Sequence, residues 1–139
     1  MNDSTVDPRA VQLLYQLWDG ALEGRERVLA WDAPVQKEDA LSREDAPDIQ
    51  QLLRNLNRIG HLLARGVLPE GFAEEIFGKE ILLCHGRLEP LLASMRQQRE
   101  DPGYLEFVDQ LAARCKSRWP DFTPKYADPG KSSGRPGFL

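Results

Sequence analysis

Between residues 49 and 63 apolar side chains recur at helical spacing: Ile49, Leu52, Leu53, Leu56, Ile59, Gly60 and Leu63 return to one side of a cylinder that advances about 100° per residue. Such a stripe is stable only when other elements cover it, and neighbouring segments with the same period commit the chain to an all-α fold of helix packed on helix. Asp45 and Pro47 begin this helix. Arg65, Gly66 and Val67 end it, because glycine takes the left-handed conformation that closes a helix and an apolar residue then folds back on the last turn.

The same reading extends to both sides. Asp7 followed by Pro8 offers a cap and a first helical residue that lacks only a donor with no partner. A helix is predicted over 8–30, with Val11, Leu14, Tyr15, Trp18, Ala21, Leu22 and Leu29 on one face. Gly20 and Gly24 predict a bend or break in it. Residues 32–46 carry mixed charge and Pro34 without sustained period, as an exposed connection does.

Pro69 and Glu70 open a short helix that Gly78 should stop. A further helix over 79–99 points Ile81, Cys84, Leu88, Leu91, Leu92 and Met95 inward, with a solvent-side kink expected at Pro90. The last begins at Asp101 and Pro102 and carries Tyr104, Phe107, Val108, Leu111, Ala112 and Cys115 to about residue 118. The expected architecture is a bundle of four main helices plus one short helix over residues 8–119. Residues 1–7 are expected as a flexible N-terminus, and the Pro- and Gly-rich residues 120–139 as a flexible, disordered C-terminal tail.

Over residues 49–116 the chain resembles an uncharacterised bacterial all-helical family, a domain of unknown function whose members occur alone or beside a membrane segment. The resemblance is carried by Asn57-Arg58-Ile59-Gly60, Gly66-Val67-Leu68-Pro69-Glu70, Ile76-Phe77-Gly78 with Ile81, Leu88-Glu89-Pro90-Leu91-Leu92, and Asp101-Pro102 with Tyr104 and Phe107. It implies a helical fold and brings no activity with it.

Charge narrows the possible partners. Residues 1–50 hold 11 acids and 5 bases, residues 51–116 hold 9 of each, and residues 117–139 hold 2 acids and 4 bases. An acidic N-terminal half repels phosphates, so sequence-independent nucleic-acid binding is disfavoured. Apolar runs reach only four residues, as over 81–84, far short of the roughly 20 that a membrane span needs. No signal-peptide pattern opens the chain, and two cysteines make no disulfide scaffold. The expectation is a cytoplasmic chain with reduced thiols.

Cys84 and His85 are adjacent, and a nearby imidazole can generate a thiolate, but neighbours on a helix diverge by about 100° and do not face each other. Cys84, Cys115, His61 and His85 match no zinc-finger spacing, and His61 is read onto the polar face of its helix. The acidic pairs Glu38-Asp39, Glu44-Asp45 and Glu74-Glu75 lie in polar stretches, as solvated surface does. Neither phosphate-binding loops nor a nucleophile elbow is present. No cofactor, no metal and no catalytic residue is expected.

Trp31 and Leu82 fall off their stripes and are expected to mark an interaction surface. Arg54, Arg58 and Arg65 lie along one helix as a candidate patch for an anion or an acidic partner, and Phe138 and Leu139 are a candidate docking pair. The function expected is a non-catalytic helical module that binds a protein partner or itself. The alternatives are a nucleic-acid-linked regulator using the Arg54, Arg58 and Arg65 face, and a thiol enzyme using Cys84.

Overall fold

The computed structural model describes residues 7–124, in which five α-helices and a short 3-10 turn follow one another without strands. They are α1 (Pro8–Asp19), α2 (Leu22–Leu29), the turn Glu38–Ala40, α3 (Asp45–Ala64), α4 (Phe72–Arg99) and α5 (Glu106–Arg118). α3 packs against α1, α2 and α5, and α4 packs against α2 and α5. The expected stripe of α3 is the centre of the core: Ile49, Leu52, Leu53, Leu56 and Ile59 are all fully buried. Each such side chain contributes about 1.5–3 kcal/mol by leaving water.

Asp7 accepts the Arg9 N–H at 2.9 Å and Pro8 begins α1, as the Asp-Pro pair predicts. The helix expected over 8–30 is divided in two at Gly20 and Ala21. The redirection brings Gly24 down on α3, so close that a Cβ there would stand 2.4 Å from the Asp48 carbonyl oxygen. Arg25 then turns inward. Its guanidinium bonds the Trp18 carbonyl at 2.9 Å, pairs with Glu80 at 2.7 Å and lies 4.0 Å over the Trp18 ring. The Trp18 carbonyl accepts from both the Ala21 N–H, at 3.1 Å, and Arg25, so the arginine ties the end of α1 to the start of α2.

The short helix expected to stop at Gly78 does not stop there. It is the first part of α4, which runs unbroken for 28 residues through Gly78 and Pro90. Gly78 serves packing rather than termination, since a Cβ would stand 2.7 Å from the Trp119 Nε1. The short helix of the bundle is α2 instead, with 8 residues.

Gly66 is left-handed at φ 74°, and the Val67 N–H reaches the Leu62 carbonyl at 2.9 Å, the closing motif expected after α3. α5 starts later than expected. Asp101 accepts the Gly103 N–H at 3.1 Å and holds a turn, after which Leu105 takes φ 55° and α5 begins at Glu106. Beyond α5, Trp119 and Phe122 pack on the core, and the Trp119 indole donates to the Glu74 carbonyl at 2.8 Å. Trp119 is the last residue of the expected domain, and Phe122, three residues into the expected tail, is partly buried against the core as well. The expected tail from residue 125 onward and the expected N-terminus before residue 7 lie outside the described residues.

Candidate functional site

α4 and α5 are joined by a short loop, and the contact of Asp109 with His85 and of Trp119 with Gly78 sets them antiparallel. Between them lies a groove of about 620 Å³. Its apolar lining is Leu82, Leu83, Ala112, Ala113 and Pro124, with Gly86 opening space in the middle. A Cβ at Gly86 would meet only the Pro124 Cβ, at 3.7 Å. The absent side chain is part of why the groove exists.

A polar network borders one wall. His85 Nε2 and Asp109 Oδ1 are 2.9 Å apart, and Arg96 pairs with Asp109 Oδ2 at 2.7 Å. Arg96 also donates to the carbonyls of Tyr104 and Leu105, at 2.8 and 3.2 Å. One arginine thus anchors the carboxylate and the turn before α5 together, which fixes the His85 ring against the groove.

The two thiols are not part of this wall. Cys84 and Cys115 are buried and free. Burial, with Glu80 adding to it against the opposing Arg25 and Arg87, pushes the Cys84 thiol up to about 12. Burial, then Glu74, raises the Cys115 thiol to about 12 as well. Both are protonated at neutral pH, the opposite of what a nucleophilic thiol requires.

Two further close contacts hold α5 in place. The Phe107 N–H donates to Asn57 Oδ1 at 3.0 Å, and a Cβ at Gly60 would stand 2.2 Å from the Phe107 carbonyl oxygen. These residues bracket the stretch Asn57-Arg58-Ile59-Gly60, which therefore has a physical role: it caps α5 and lets it cross α3 at backbone distance. A family model described as a domain of unknown function, DUF4760, matches residues 10–119. The chain belongs to this family. The match extends upstream of the stretch singled out in the sequence and takes in most of α1 and all of α2. No curated protein and no solved structure matches the chain.

In this DUF4760 domain the residues expected to bind are dispersed. Trp31 is half-buried and packs against the core. Leu82, expected as an off-stripe surface residue, is buried at 6% exposure. Its side of α4 is covered as well, because a helix flanked by both α2 and α5 buries more than one stripe. Arg54, Arg58 and Arg65 are exposed along α3, and Arg54 bonds Gln51 at 3.3 Å. None of the three lines the α4–α5 groove. Phe138 and Leu139 lie outside the described residues.

His61, read onto a polar face, is half-buried and stacks on the Phe107 ring with centroids 4.7 Å apart. The acidic pairs divide: Glu38 holds Arg99, Asp45 holds Arg27 and Glu75 holds Arg118, whereas Glu74 is buried at 4% exposure. Among the described residues, no group of three or more His, Cys, Asp or Glu side chains is placed to hold a metal ion, and no helix is long and apolar enough to cross a membrane. The groove itself was not visible in the sequence. His85 and Asp109 are 24 residues apart and share no local motif, so only the register of α4 on α5 brings them together.

Proposed function

We propose that this DUF4760 domain is a non-catalytic interaction module that binds a partner protein in the groove between α4 and α5. The observation that carries this reading is the groove's construction: an apolar floor opened by Gly86 and a wall held rigid by Arg96, Asp109 and His85. An apolar groove bordered by a few fixed polar groups is a form that an apolar segment of a partner protein can fill. The high thiol pKa of Cys84 argues against chemistry at that residue. The two free cysteines suit a reducing, cytoplasmic setting.

Gly86→Leu tests the reading. The substitution fills the groove and raises helix propensity, so helicity and the unfolding midpoint should be kept. Proteins retained by the tagged full chain should be lost from the variant. An unchanged set of retained proteins would place binding elsewhere. A second reading, a nucleic-acid-linked regulator, draws support from the shared exposed face of Arg54, Arg58 and Arg65 on α3; it requires salt-dependent retention of DNA or RNA that Arg58→Glu abolishes.

A further inference from the structure

The groove has two unlike ends. Because Asp109 meets His85 and Trp119 covers Gly78, Lys116 on α5 lies toward the Leu82 end, whereas Glu89 lies one turn beyond His85 at the other. Most charges on the walls are already engaged. Asp109 is held by Arg96 and His85, and Arg87 donates to the carbonyls of Val28 and Leu29. Lys116 and Glu89 are exposed and have no ion-pair partner among the described residues. Lys116 gives one hydrogen bond to the Phe122 carbonyl at 2.9 Å. Two of the three donors of its ammonium group are left for a ligand.

We propose that the groove receives an apolar segment of a partner protein that carries an acidic residue, with the carboxylate at Lys116 and the apolar side chain over Leu83, Gly86 and Ala113. The assignment rests on the groove being the binding surface. Charge complementarity gives the direction: Lys116 attracts a carboxylate at its end, Glu89 repels one at the other, and the neutralised Asp109 between them leaves the middle to apolar contact. The ion pair is partly exposed, so it adds selectivity rather than most of the affinity.

The test uses the full chain labelled with nitrogen-15 and four probes: N-acetyl-Leu-Leu-Glu-amide, its Gln and Lys counterparts, and 4-phenylbutyrate. The Glu peptide should shift the amide signals of Leu83, Gly86, Ala113 and Lys116. It should bind about three- to fivefold more tightly than the Gln peptide, the size of one exposed ion pair, with the Lys peptide weakest at that end. Lys116→Gln should erase the Glu-over-Gln preference and Glu89→Gln should keep it.

Equal binding of the Glu and Gln peptides, a preference that survives Lys116→Gln, or no response of these amides to any peptide overturns the proposal. Binding of 4-phenylbutyrate without any peptide overturns it in favour of a small-molecule acid site. Loss of retained proteins in Gly86→Leu alongside equal Glu and Gln binding would sink the acidic assignment alone and leave the groove as the binding surface.

Discussion

The N–H of Phe107 is capped by the side chain of Asn57, an amide on α3 that reaches a helix start 50 residues later at 3.0 Å. The residue at the head of α5, Leu105, gives no side-chain cap of its own. In the first turn of α5 the N–H groups of Glu106 and Val108 bond the local carbonyls of Gly103 and Leu105, whereas that of Phe107 is satisfied by tertiary contact.

Asn57→Ala should destabilise the domain by about 1 kcal/mol, the usual cost of losing a helix cap. Asn57→Asp keeps an acceptor and should recover most of it. Urea titrations of the three proteins check this, and equal midpoints would show that the bond contributes nothing.

Gly60 and Gly86 are both inside long helices, yet alanine should act on them in opposite directions. At Gly60 the new Cβ meets the Phe107 carbonyl oxygen at 2.2 Å, backbone that can give way only by moving α5. A loss of about 1–3 kcal/mol is expected. At Gly86 the nearest atom is 3.7 Å away, so better helix propensity should stabilise by about 0.5–1 kcal/mol. Thermal unfolding of the two variants should move the midpoint down and up, respectively.

Core truncation should separate from surface truncation in degree. Leu56→Ala and Leu88→Ala each empty a fully buried position and should cost about 2–5 kcal/mol. His61→Ala removes the ring stacked on Phe107 and should cost about 0.5–1.5 kcal/mol, more than a free surface residue would. Urea unfolding of the three variants gives the ranking. A His61 variant indistinguishable from the wild type would mean that the stacking adds nothing.

The cysteines should make stability fall in alkali. Each native thiol is raised from 9.0 to about 12, so between those values the unfolded chain loses a proton that the folded chain keeps. Their contribution is complete below about pH 9 and lost as pH rises toward 12, at up to about 1.4 kcal/mol per pH unit for each thiol. Urea titrations at pH 8, 9 and 10 should show a steeper decline for the wild type than for Cys84→Ala with Cys115→Ala. Parallel declines would contradict the burial argument. At pH 7.5, iodoacetamide should label the unfolded chain far faster than the native one.

The sequence by itself determined the all-helical class, the central helix and several helix ends. The period of Ile49 to Leu63, the Asp7-Pro8 start and the Gly66 stop are local matters of side-chain spacing and backbone preference, and each is present in the structure. What it could not decide was the meaning of glycine. Gly66 ends a helix because its own φ is positive, whereas Gly24, Gly60 and Gly78 admit another segment within contact distance, and a sequence offers the same residue for both. Tertiary structure alone decided that α4 runs through Gly78, that Leu82 is covered, and that His85 and Asp109 meet across two helices beside a groove. The physical reason is range: caps and stripes act within about one or two turns, while a groove is the space left between helices whose register is set by packing along their whole length.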